Sequence, residues 1–146
     1  MRSAARLYAV QALYQMEAME QSLDKVRAEF EDHRFGMVID GIEFSEGNVD
    51  HFRQILTEAV SRQAAIDKAT DRALVAKWPI GRIDPVLRAL FRAAGAELMA
   101  FDTPPKVVIT EYIEVARAFF PEGKEAGFVN AVLDHMAREA KPGAFA

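Results

Sequence analysis

Arg2 and Arg6 stand one helical turn apart near the start of the chain, where a helix leaves its first amides free. The helix dipole disfavours cations at that end, so an outside anion is one way to stabilise them. Two guanidinium groups beside free amides make a phosphate site. A second constellation lies near the other end. Phe120 precedes Pro121-Glu122-Gly123, a break at which a ring can protrude, and Lys124 and Phe128 then fall on one side of the next helix with His135. Rings beside a cation suit unpaired nucleotides: bases stack on the rings, at roughly 1 to 3 kcal/mol per base, while phosphates meet the charge. Plainer readings fit the same residues, a solvated terminus for the arginines and core packing for the rings. On pattern alone the plainer readings are favoured.

Signatures of catalysis are missing. There is no glycine-rich phosphate loop, no nucleophile elbow and no metal-binding His pair on a helix, and His33, His51 and His135 stand in unrelated contexts. The absence of cysteine excludes thiol chemistry and Cys-ligated zinc and fits a reducing compartment. No catalytic residue, metal or cofactor is expected. Glu111 and Glu114, with Lys106, Thr110 and Arg117 around them, read as an exposed ion-pair face. Glu97 differs, because its wheel position falls between Val86 and Leu90 inside an apolar arc, so its charge needs a partner. A structural carboxylate, paired with a base such as Arg82 or accepting from backbone amides, is favoured over a general acid, since no second catalytic group is spaced to help it. Trp78 beside Pro79 reads as a core anchor at a chain reversal.

The elements that must position these residues are helical almost throughout. The spacing predicts a first helix over 4–20, with Leu7, Val10 and Tyr14 along one side, and a second over 23–35, with Val26 and Phe30 inward. Residues 36–47 hold three glycines and read as irregular. A long helical stretch over 48–74 requires a bend near Gln63. Asp84-Pro85 is a helix start, since Asp accepts from a free amide and Pro loses nothing at the first position. Val86, Leu87, Leu90, Phe91, Ala94 and Leu98 then form one arc, with Arg88 and Arg92 opposite. Thr103-Pro104 repeats the signal. Val107-Val108-Ile109 alone would suggest a strand, but Tyr112, Ile113, Ala116 and Phe119 continue a helical period. A last helix over 124–139 buries Val129, Val132, Leu133 and Met136, and Pro142-Gly143 ends it. The expected architecture is one all-α domain over 1–146 with about seven helices and no convincing strand pair.

At 146 residues, 51% hydrophobic and 27% charged, the chain is long enough to bury a core without a metal or disulfide. Its formal charge of −4 is unevenly spread: residues 1–16 carry only the two arginines, residues 17–58 hold eleven acids against four bases, and residues 59–146 hold twelve bases against eleven acids. With a Debye length of about 8 Å at physiological salt, the acidic segment does not cancel a basic patch held away from it. No stretch is long enough to span a membrane, and the N-terminus lacks a signal-peptide pattern, so a cytoplasmic protein is expected.

Five stretches taken together carry a resemblance: Arg-Ser-Ala-Ala-Arg-x-x-Ala-Val-Gln-Ala-Leu-Tyr-Gln at 2–15, Arg-Ile-Asp-Pro-Val-Leu-Arg-Ala at 82–89, Glu-Leu at 97–98, Pro-Lys-Val-Val-Ile at 105–109 and Gly-Phe-Val-Asn-Ala-Val-Leu-Asp at 127–134. In order and spacing they resemble the bacterial transcription antitermination factors of the NusB family, most weakly over 21–47. The resemblance implies an all-helical fold and a role in antitermination of ribosomal RNA transcription within the elongation complex. It also implies binding of the single-stranded boxA element of nascent RNA together with NusE, a small-subunit ribosomal protein. The family's RNA contacts fall here on Arg2, Arg6 and Tyr14 of the first helix and on Phe120, Lys124 and Phe128 around the start of the last. Some members form homodimers through that same side. Three features depart from the family pattern: fewer arginines in the first helix, Thr110 where Asn is usual, and Lys124 at a place that is often acidic.

With three cations at the groove, about three phosphates are neutralised, for a single-strand salt slope of about −2. Binding by the chain alone is then weak, and a basic partner supplies the rest; the helix over 84–99 is the expected NusE-facing element. Arg6→Ala and Phe120→Ala are expected to weaken RNA binding with little change in thermal midpoint. Two other classes compete: the RNA-binding module of a ribosomal RNA cytosine methyltransferase, expected to be excluded because the chain ends at Ala146 with no methyl-donor domain, and a helical adaptor that meets only protein.

Overall fold

The computed structural model describes residues 2–33, 38–39, 42–43, 46–74 and 83–145. Its helices are α1 (Arg2–Met19), α2 (Leu23–His33), α3 (Glu46–Ser61), α4 (Gln63–Ala73), α5 (Pro85–Ala100), α6 (Pro105–Phe119) and α7 (Lys124–Ala140), and a 3-10 turn, Pro142–Phe145, follows the last. The all-α expectation agrees with this architecture. The stretch expected to bend near Gln63 is two helices, parted at Arg62, whose backbone (φ −106°, ψ 13°) leaves the helical region. Trp78, Pro79 and Arg82 lie outside the described residues.

Between α2 and α3 the expectation of an irregular segment without strands is corrected by a short antiparallel pair, β1 (Val38–Ile39) with β2 (Ile42–Glu43), in the register Val38 to Glu43 and Ile39 to Ile42. That register leaves Asp40-Gly41 between the strands, a favoured composition for a two-residue hairpin loop. The sequence carried this signal, but three glycines in one segment obscured it.

The start of α5 forms as its residues dictate: Asp84 Oδ1 accepts from the Val86 amide at 2.7 Å, with Pro85 at the first helical position. One start signal is displaced. Pro104, not Thr103, caps α6, and its carbonyl accepts from the amides of Val107 and Val108. The Val107-Val108-Ile109 run is helical because Val108, Ile109, Tyr112, Val115 and Ala116 are all buried at helical spacing.

The helix α5 is the axis of the fold, packing against α1, α3, α4, α6 and α7. Ten of its residues are buried, among them Ala89, Ala93, Gly95 and Ala96, so a single apolar arc understates it. Arg88 and Arg92, expected opposite that arc, are 12% and 14% exposed because they pair with Glu17 of α1 and, for Arg92, Asp67 of α4. Gly95 is required by the close approach of α4: a Cβ there would meet Ile66 Cγ2 at 2.5 Å. Two ion pairs set directions. Arg6 meets Glu97 while Glu17 meets Arg88, so α1 runs antiparallel to α5; Arg6 approaches Glu111 while Tyr14 shares a groove with Phe119, so α1 runs parallel to α6. Among the described residues, no helix is long and apolar enough to cross a membrane.

Candidate nucleic-acid interface

Tyr14 stands on the open side of α1, 40% exposed, at a groove of about 430 Å³ lined by Gln11, Gln15, Met19, Phe30, Val86 and Phe119. Its neighbour across the groove, Phe119, ends α6. Phe120 follows as the C-cap of that helix: its amide donates to the Ala116 carbonyl at 2.8 Å and its carbonyl accepts from the Gly123 amide at 3.0 Å. The Phe120 ring is half-buried against the core rather than protruding, a correction to the expectation from the following proline.

Gly123 turns the chain into α7 with φ +77°, a left-handed conformation that favours glycine. Lys124 is therefore the first residue of α7, fully on the surface. One turn on, Phe128 is 38% exposed and rests on the buried Phe91 of α5, ring centroids 6.1 Å apart and planes tilted by 60°. Phe120 and Lys124 thus flank the turn that follows α6, Tyr14 shares a groove with Phe119, the last residue of that helix, and Phe128 rests on α5. The structure does not bring Arg2 there: Arg2 stands twelve positions before Tyr14 on α1, about 18 Å along the axis.

Arg6 requires a larger correction. It is 3% exposed, and its Nε and Nη2 donate to the Glu97 carboxylate at 2.8 and 2.9 Å. Its Nη1 lies 3.8 Å from Glu111, a residue expected on the solvent face and here 31% exposed. A guanidinium so occupied is not open to a phosphate. The partner that Glu97 demanded is Arg6, on the opposite helix, where Arg82 was expected. Tyr112 adds a third hydrogen bond to Glu97, at 2.5 Å, and His51 Nε2 comes within 3.3 Å of the same carboxylate without hydrogen-bond alignment. Four helices therefore converge on one carboxylate.

Burial works against the Glu97 charge. The polar contact from His51, the hydrogen bonds and charge of Arg6 and the Tyr112 hydroxyl outweigh it and hold the carboxyl down at about 2. Burial and the adjacent carboxylate push the Tyr112 hydroxyl well above the usual phenol range, so it stays a donor. The signal for Arg6 was in the sequence: it precedes Val10 by four residues and Leu13 by seven, so it lies in the apolar stripe of α1. Tyr112 read only as core, and nothing in the sequence marked His51. Of the surface pair on α6, Arg117 and Glu114 meet at 2.5 Å as expected.

Comparison with known proteins agrees with this architecture. A sequence model of the NusB family matches residues 3–138. A protein of Maricaulis maris (strain MCS10) named transcription antitermination protein NusB is 48% identical, covering 99% of this chain and 91% of its own length. The solved structure of T. maritima NusB superposes with a TM-score of 0.79 at 29% identity over 99% of this chain and 96% of its own. A crystal structure of the antitermination factors NusB and NusE in complex with double-stranded RNA has a chain of the same fold, with a TM-score of 0.78 at 21% identity over 94% of this chain and 96% of that one.

Proposed function

This chain belongs to the NusB family, and from that premise we propose that it is a transcription antitermination factor that binds single-stranded boxA RNA jointly with NusE. It acts as one RNA-binding domain in the cytoplasm, within the elongation complex that transcribes ribosomal RNA. What supports this reading is the exposure of two aromatic rings, Tyr14 and Phe128, and of Lys124 on a chain of net charge −4. Base stacking on rings needs little charge, so an acidic protein can supply it while a basic partner supplies phosphate contacts. A solved complex that holds a NusB chain of this fold with NusE and double-stranded RNA supports joint action with NusE.

With Arg6 withdrawn, Lys124 and, at a distance from it, Arg2 are the proposed phosphate contacts, and the expected salt slope of the chain alone falls to about −1.4. Tyr14, Phe120 and Phe128 are the proposed base contacts. Titration of a labelled boxA oligonucleotide with and without NusE tests the reading, with a scrambled strand and a duplex as controls. Tighter binding to boxA in the presence of NusE is expected; equal affinities with and without NusE, or for boxA and the scrambled strand, reject it.

A further inference from the structure

The buried faces of α1 and α5 set small side chains among large ones, with Tyr8, Val10 and Leu13 on α1 and Leu90, Phe91 and Leu98 on α5. The small ones include Ala5, Ala9 and Ala12 on α1, each fully buried, and Ala89, Ala93, Ala94 and Ala96 on α5. The alanines let the two helices approach closely, and a buried ion pair adds to that packing a directional contact that admits one axial register. Register matters here. A slip of one turn moves every residue of α1 by about 5.4 Å, enough to carry Tyr14 away from Val86 and Phe119.

Ion pairs bracket this interface at both ends, and the two ends are unequal. Glu17 with Arg88 lies toward the groove end and is partly wet, at 34% and 12% exposure. Arg6 with Glu97 lies eleven residues earlier on α1, is buried, and is bidentate, a geometry that fixes both distance and rotation. Tyr112 from α6 and His51 from α3 close on the same carboxylate, so Glu97 ties α1 to both neighbouring helices.

We propose that Glu97 is a positioning residue for RNA binding: by holding Arg6 it sets the register of α1 that presents Tyr14 to the groove, and Arg6 contributes through this pair rather than by touching phosphate. The inference rests on the RNA-binding reading above. It separates two roles that a simple Arg6 deletion confounds, because lost phosphate contact and lost register both weaken binding.

The experiment is boxA binding, with NusE present, by the Arg6→Met/Glu97→Leu double variant, which replaces the buried pair with apolar side chains of similar length and keeps the helices packed. Affinity is measured across a salt series, beside circular dichroism and thermal midpoint. The expected result is a helical protein with a midpoint lowered by the loss of the Tyr112 acceptor, affinity of the folded form reduced about tenfold and an unchanged salt slope. Wild-type affinity in the folded double variant overturns the proposal, since the pair would then serve stability alone. A slope flatter by about 0.7 overturns it differently, by showing that Arg6 neutralises a phosphate. Should the double variant not fold, Tyr112→Phe, which removes one donor from Glu97 and leaves the ion pair, is read in the same way, with a two- to threefold loss expected and wild-type affinity overturning the proposal. Absence of binding by the wild-type protein in the same assay would reject the RNA-binding reading itself.

Discussion

Arg6 and Glu97, 91 residues apart in the chain, meet in the interior through two parallel hydrogen bonds of 2.8 and 2.9 Å. The pair converts the second arginine of an N-terminal basic motif from a surface charge into part of the framework. Removing one member leaves the other charged and buried, which typically costs about 3 to 5 kcal/mol.

Arg6→Ala is therefore expected to lower unfolding free energy by about that amount, contrary to the sequence-based expectation of an unchanged midpoint. Phe120→Ala, with its half-buried ring, is expected to lose stability as well as RNA affinity. Urea unfolding of each variant checks this. An Arg6→Ala curve superimposed on wild type would show that Glu97 finds another partner.

The same pair makes stability depend on pH. The Glu97 carboxyl is held at about 2 in the folded protein, below its ordinary 4.5. A depressed carboxyl contributes stability that is fully present above about pH 4.5 and is lost as pH falls toward 2, on the order of 3 kcal/mol in all. Thermal midpoints recorded between pH 7 and pH 2 are expected to drop over that window, and Glu97→Gln is expected to remove this part of the drop. A Glu97→Gln profile parallel to wild type throughout the window would contradict the assignment.

Gly95 offers a test of packing away from the groove. The methyl of Gly95→Ala would press on Ile66 Cγ2 at 2.5 Å, with Met136 Cε at 3.3 Å. Overpacking of this kind costs about 1 to 3 kcal/mol even though alanine is the better helix former. Denaturant unfolding should show a lowered midpoint, with RNA affinity of the folded fraction nearly unchanged.

Tyr14→Ala and Phe128→Ala remove exposed rings, so each should weaken boxA binding by about 1 to 3 kcal/mol, five- to 150-fold. Tyr14→Ala should barely alter the thermal midpoint, whereas Phe128→Ala should lower it slightly through lost contact with Phe91. Full affinity in both would place the RNA elsewhere.

Lys124→Ala should act through charge alone. Affinity falls and the salt slope flattens by about 0.7, from about −1.4 for the chain without NusE. An unaltered slope would remove Lys124 from the set of phosphate contacts.

How much of this was legible in the chain follows from the range of each interaction. Asp84-Pro85 announced the start of α5, the period through Tyr112 made α6 a helix despite three β-branched residues in a row, and Gln63 marked the parting of α3 from α4; all are local preferences acting within one or two turns. The hairpin signal of Asp40-Gly41 was equally local and was obscured by the glycines around it. The motifs also carried the family, because their order along the chain is itself sequence. Tertiary structure alone decided which charge met Glu97, since a helical wheel says that a buried carboxylate needs a partner but not which helix lies opposite. It likewise decided that Phe128 stays half open over Phe91 while Phe120 tucks inward, because the exposure of a ring at the margin of an apolar stripe depends on where the neighbouring helices end.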